Sequence, residues 1–209
     1  MALDLSSLPP TAFRRADETP DDRFYVQPRL VTHIEDETIA AVTDLYRELL
    51  PPDGEVLDLM SSWVSHLPEE MQFQRVAATG MNRTELEANP RLNDFAVHNL
   101  NQNPILPFAD ASFDAVLCCV SVQYLTRPVE VMRDAARVCR PNAPIILTFS
   151  NRCFPTKAVF AWQMLDDAGH LDLVASYLQS AGNWGQIEEM NRTPKGAREP
   201  LLAVVARRV

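Results

Sequence analysis

Residues 56–68, VLDLMSSWVSHLP, decide how this chain is read. An apolar strand carries an acid, Asp58, near its end, and the turn behind it opens toward a helical segment. In a doubly wound α/β sheet, such a junction is where ligands settle against the backbone. Glycines usually fill the turn, because a missing Cβ lets chain and ligand approach closely. Here Met60, Ser62 and Val64 take those positions. The strand predicts the scaffold, and the glycine-poor turn makes its ligand loop unusual.

Outward from this stretch, apolar strand-like runs alternate with helical ones, the pattern of a mostly parallel sheet covered on both faces. Strands are expected at 56–60, 74–80, 94–99, 113–118 and 145–150. Helices are expected at 32–50, 68–72, 84–89, 128–138, 156–168 and 171–181, the last two ending near Gly169 and at Gly182. The first of these carries Ile34, Thr38, Ile39, Val42, Leu45 and Leu49 near helical spacing, and Pro51 and Pro52 end it. Segments 184–189 and 201–207 read as an antiparallel strand pair at the sheet edge. The expected fold is α/β, a doubly wound, seven-stranded, mostly parallel sheet in one domain over 1–209. Within it, 1–50 form an N-terminal arm and cap helix and 55–209 the core.

Charge narrows the partners. The 19 Lys and Arg stand against 28 Asp and Glu, a formal charge of −9, without the basic footprint that phosphate backbones require. No nucleic-acid partner is expected. No run approaches the roughly 20 apolar residues of a membrane span, so no membrane partner is expected either. Residues 1–15 lack the basic start and apolar centre of a secretory signal, and their Pro, Ser and charges predict a loosely ordered arm. The four cysteines, Cys118, Cys119, Cys139 and Cys153, show no C-x-x-C spacing. They read as reduced small hydrophobes of a cytoplasmic protein, and no metal site is expected. The NRT triplets at Asn82 and Asn191 are discounted as glycosylation acceptors for want of a signal.

Three segments carry a family resemblance. LPFADASFDAV (106–116) is similar to the LPF-acid-x-x-FD-x-V signature of class I S-adenosylmethionine-dependent methyltransferases. DAARVCRPN (134–142) resembles the E-x-x-R-V-L-K-P-G-G helix and turn that follows, with Asn142 and Ala143 in place of the glycine pair. YLQSAGNW (177–184) resembles the L-x-x-A-G-F entry to the sixth strand. The runs DLMSSWVSHLP, GMNRTEL, SVQYLTRP and SNRCFPTKAV are similar to a small methyltransferase-like group of the type 11 kind.

The resemblance implies S-adenosylmethionine as cofactor, S-adenosylhomocysteine as product, and direct methyl transfer to a small-molecule acceptor. Asp58 matches the acid that orients the methionine amine. Met60, Ser61 and Ser62 stand in the loop that faces the methionine carboxylate. Asn82, just after Gly80, takes the place of the ribose acid. Asn99, followed by Leu100, takes that of the adenine-side acid, and Cys119 closes the fourth strand beside the cofactor. Two expected carboxylates are therefore amides, which predicts binding weaker by roughly tenfold to thirtyfold.

His66, His33 and Tyr124 are the candidate catalytic groups, His66 as a base with a near-neutral pKa. Tyr25, Arg29, Trp63, Gln123, Asn151 and Arg152 are the candidate acceptor-side residues. The glycine-poor loop keeps an alternative open: a degenerate relative that binds S-adenosylmethionine, S-adenosylhomocysteine or a partner without turnover. In that case Trp63 or Met60 should fill the cofactor space. A nicotinamide-dependent reductase is set aside. No G-x-G-x-x-G follows the first strand, and no tyrosine has a lysine four residues later.

Overall fold

The computed structural model describes residues 3–209. Seven strands form one sheet in the order β3-β2-β1-β4-β5-β7-β6. They are β1 (Glu55–Leu59), β2 (Arg75–Gly80), β3 (Asp94–Val97), β4 (Ala115–Cys119), β5 (Pro144–Phe149), β6 (Trp184–Asn191) and β7 (Leu202–Arg208). β1 to β5 pair in parallel, while β7 runs antiparallel to both β5 and β6. The C-terminal pair is thus antiparallel as expected, with β6 at the edge and β7 inserted beside β5.

The strands alternate between two apolar layers. Val56, Val76 and Leu117 pack on one face, and Leu57, Ala77 and Val116 on the other, as the two-residue period of a strand requires. β5 is buried along its whole length, the mark of a central strand. The described residues form six α-helices: α1 (Asp21–Phe24), α2 (Asp36–Leu49), α3 (Arg83–Ala88), α4 (Pro128–Val138), α5 (Phe160–Gln163) and α6 (Asp167–Ala181). α2 opens on Asp36 and Glu37 and carries Arg47 in its last turn, charges that suit its dipole. α4 begins on Pro128, where the missing N–H costs nothing. α6 is capped by the Asp166 carboxylate and ends on left-handed Gly182.

Several boundaries differ from those expected. Residues 68–72 form a turn, because Pro68 is followed by too few apolar positions to bury a helical face. α2 starts at Asp36, which leaves His33 in the preceding coil. The helix expected over 156–168 shrinks to α5. Gly169 lies inside the first turn of α6, donating its N–H to the Asp166 cap at 2.9 Å.

The largest difference concerns the N-terminal arm, which from Leu3 onward is docked rather than loose, Met1 and Ala2 lying outside the described residues. Ala12 is buried, and Leu3, Leu5, Leu8 and Phe13 pack against the main core. Main-chain bonds from Phe160 to Arg14 and from Ala161 to Ala12 stitch it to α5. Its apolar residues follow no period, so pattern reading passes over them.

The segment most similar to the methyltransferase signature is a buckle. Asp134 accepts the Leu106 N–H at 2.6 Å, and Arg137 donates to the Leu106 and Phe108 carbonyls and to Asp110. The pair thereby fixes the loop entering β4. Asn142 adopts φ +63° in the turn where a glycine pair is usual, a conformation Asn tolerates better than most residues. Among the described residues no helix is long and apolar enough to cross a membrane.

Candidate functional site

Between β1 and β4 the strand order reverses, so the loops leaving their carboxyl ends diverge and open a crevice. A cavity of about 370 Å³ occupies it. That size falls within the roughly 300–1,000 Å³ of small-molecule pockets. Met60, Ser61 and Ser62 line it from the β1 loop, Gly80 and Glu85 from the β2–α3 junction, and Asn99 and Leu100 from the end of β3. The arm supplies Arg15, Asp21, Tyr25, Arg29 and His33, and the far rim holds Tyr124, Arg152 and Phe154. A second cavity of about 80 Å³ shares Met60, Ser61 and Ser62 and reaches Asp58, Trp63, His66 and Cys119.

The β1 turn keeps its course without glycine by straining. Met60 sits at φ +55°, His66 at +53° and Val120, beyond β4, at +49°. Such values cost a non-glycine residue about 1–2 kcal/mol, and for a β-branched valine they are rare. All three residues border the smaller cavity. Strain gathered in this way is typical of functional sites. Gly80 pays the geometric debt opposite: a Cβ there would lie 2.5 Å from the Ser61 carbonyl oxygen.

Asp58 lies beneath the loop, 3% exposed. Ser61 donates its hydroxyl to it at 2.6 Å. Burial pushes the carboxyl up to about 6, against the lowering effect of hydrogen bonds from Ser61 and Ser65. Asn82 turns away from the cavity. Its carbonyl oxygen caps α3 at the Glu85 N–H, and its amide donates to the Tyr25 and Val26 carbonyls of the arm. The carboxylate at this corner belongs instead to Glu85, 8% exposed, which accepts from the Ser62 hydroxyl and the Arg29 N–H, both at 2.7 Å. Asn82-x-x-Glu85 is a capping-box spacing, the one signal in the sequence that could have found it. Here the acid faces the cavity.

At the end of β3, Asn99 uses its side-chain oxygen on the Asn101 N–H. The adjacent Leu100 borders the cavity, and its N–H has no hydrogen-bond partner among the described residues. It is a main-chain donor ready for a ligand.

Burial moves each candidate catalytic group away from its ordinary pKa. Burial lowers His66 to about 4. His33 is also lowered, by burial first and by Arg29, against the pull of Glu85. Burial raises the Tyr124 phenol, whose oxygen accepts from the Phe154 N–H at 2.8 Å. Gln123 is fully buried, tying the Val120 and Arg152 carbonyls together. Asn151 is exposed and lines neither cavity. Trp63 donates its indole N–H to the Val31 carbonyl at 3.0 Å and so fastens the loop to the arm. It leaves the larger cavity open.

The methyltransferase-domain family model matches residues 66–147, beginning just past the glycine-poor turn. No curated protein matches the sequence. A methyltransferase from Aquifex aeolicus that depends on S-adenosylmethionine is similar in structure. It has 18% identity and a TM-score of 0.56, over 83% of this chain and 92% of that one. Another, from Mesorhizobium loti, has 15% identity and a TM-score of 0.54, over 80% and 98%. The [4+2]-cyclase SpnF has 13% identity and a TM-score of 0.58, over 80% of each chain. The chain thus shares its seven-stranded α/β fold with S-adenosylmethionine-dependent methyltransferases, and residues 66–147 match the methyltransferase-domain model.

Proposed function

We propose that the protein transfers a methyl group from S-adenosylmethionine to a small-molecule acceptor held under the arm. The observation that carries this reading is the cavity at the strand switch point, with the Glu85 carboxylate and the unpaired Leu100 N–H on one wall. These groups fit a nucleoside. Glu85 would take the ribose hydroxyls, since only two of its roughly four lone-pair positions are used by Ser62 and Arg29. Leu100 and Asn99 would meet the adenine edge. Ser61 and Ser62 would face the methionine carboxylate, with Asp58 behind them for the amine.

The bound sulfonium supplies an already activated methyl group. What remains for the protein is to align the acceptor and keep water out. The arm does both, closing over the crevice through Tyr25, Arg29 and His33. With His66, His33 and Tyr124 shifted away from neutrality, the reading favours an acceptor atom that brings its own lone pair.

Calorimetric titration with S-adenosylhomocysteine tests the cofactor site. Saturable binding is expected, weakened by roughly tenfold to thirtyfold in Glu85→Gln, which exchanges two charge-assisted bonds for neutral ones. Absence of binding to the folded wild type would sink this reading. A second reading, binding without methyl transfer, is favoured by the strain at Met60 and Val120 and by the lack of a poised base. Saturable binding with no label passing from methyl-labelled S-adenosylmethionine to any acceptor in a small-molecule extract would select it.

A further inference from the structure

Three guanidinium groups line the cavity, and two of them are already neutralised. Arg15 pairs with Asp21 at 2.7 Å, and Arg152 with Glu199 at 2.5 Å. Arg29 differs. Among the described residues no carboxylate lies within ion-pair distance of its guanidinium. Its side-chain bonds go to two main-chain carbonyls, Phe24 at 2.9 Å and Gln27 at a marginal 3.5 Å. Three of its five N–H groups are unused.

The group is nevertheless held in place. It lies over the rings of Phe24 at 4.7 Å, Phe154 at 5.4 Å and Tyr25 at 5.7 Å. Phe154 in turn stacks on Tyr124. A pre-positioned, half-buried guanidinium with open donors loses little entropy on forming a fork of hydrogen bonds. Of the rings around it, Tyr25 and Phe154 border the cavity together with Tyr124, and give it an apolar, aromatic lining.

We propose that the methyl acceptor is a small carboxylic acid with an aromatic or otherwise apolar body, and that Arg29 receives its carboxylate. The inference rests on the methyltransferase reading for the word acceptor, but the acid site itself stands on Arg29. One unpaired cation matches a monoanion. A phosphate dianion would leave a second charge uncompensated beside Asp21 and Glu85, which border the same cavity. The sulfonium of a bound cofactor adds a further positive charge that favours an anionic neighbour.

The test uses matched acids and amides: 4-hydroxybenzoate with 4-hydroxybenzamide, cinnamate with cinnamamide, and octanoate with octanamide. Each is titrated into the wild-type protein with and without saturating S-adenosylhomocysteine. The acid should bind at least tenfold more tightly than its amide in one or more pairs. That gap should close in Arg29→Gln and survive in Arg133→Gln, an exposed arginine of α4 that lines neither cavity. No preference for the acid in any pair overturns the proposal, as does a full preference retained by folded Arg29→Gln. Should that variant not fold, Arg29→Lys keeps the charge and loses the fork. It should keep only part of the preference, and full retention overturns the proposal. Failure of S-adenosylhomocysteine to bind counts against the methyltransferase reading alone, because the acid–amide comparison without it still decides the role of Arg29.

Discussion

Asp58 is the residue whose environment makes the sharpest demand. Its folded pKa of about 6 stands above the unfolded value of about 3.9. The native state therefore binds more protons between those values, and stability declines as pH rises from about 4 to about 6. The loss is on the order of 2–3 kcal/mol and is complete above pH 6. Asp58→Asn should remove that slope from a series of urea melts. Binding carries the opposite sign, because an ammonium group beside Asp58 needs the ionised form. Affinity for S-adenosylhomocysteine should be level above pH 6, fall by up to tenfold per pH unit below it, and become flat in Asp58→Asn. The place of Asp58 in β1 was legible in the sequence because a strand and its terminal acid are both local features. Glu85 was not. Its role depends on α3 turning a capping-box acid toward Ser62, an orientation that spacing alone does not encode. Asn82, expected at the ribose, spends its amide on the Tyr25 carbonyl of the arm, a contact that spacing likewise does not encode.

At the scale of elements, the arm is fastened by one buried cation. Lys157 is fully buried, donates to the Thr19 carbonyl at 2.7 Å, and lies 3.3 and 3.4 Å from the Asp17 and Asp21 carboxylates. Lys157→Met removes the donor to the Thr19 carbonyl and one of the two cations on Asp21, which keeps Arg15, a change that typically costs about 1–3 kcal/mol. The cost is local, so amide exchange should quicken over residues 14–24 while β4 and β5 keep their protection. Uniform loss of protection would show that the arm is part of the global folding unit. Arg137 makes a different prediction. Arg137→Ala should destabilise the whole chain by about 2–4 kcal/mol, because it frees the Leu106 and Phe108 carbonyls and leaves Asp134 buried without its partner. A shift of thermal midpoint of under 2 °C would contradict it. The sequence announced the α4 buckle and the alternating strands through period and motif. The arm escaped because its anchors lie far away in sequence, at α5 and at Lys157.

For the whole molecule, the sheet order sets where ligands bind and the charge sets which ligands are drawn there. The chain carries −9 overall, whereas in the crevice Arg15 and Arg152 are paired with Asp21 and Glu199, which leaves the Arg29 guanidinium and the Glu85 carboxylate. The long-range field thus differs from the local one. Ligands approaching from beyond a Debye length meet the net negative charge, which salt screens within about 10 Å at 0.1 M. S-adenosylmethionine has a net charge of +1 at neutral pH, and S-adenosylhomocysteine has none. Affinity for the first should fall severalfold between 10 mM and 300 mM salt, while affinity for the second changes by less than about twofold. An acid held by Arg29 adds the mirror case. Its approach is opposed by the same field, so its association rate should rise with salt, whereas its dissociation should quicken as the Arg29 pair is screened. Stopped-flow traces with 4-hydroxybenzoate separate the two rates. A falling association rate would mean that the arginines of the crevice, rather than the net charge, govern the approach.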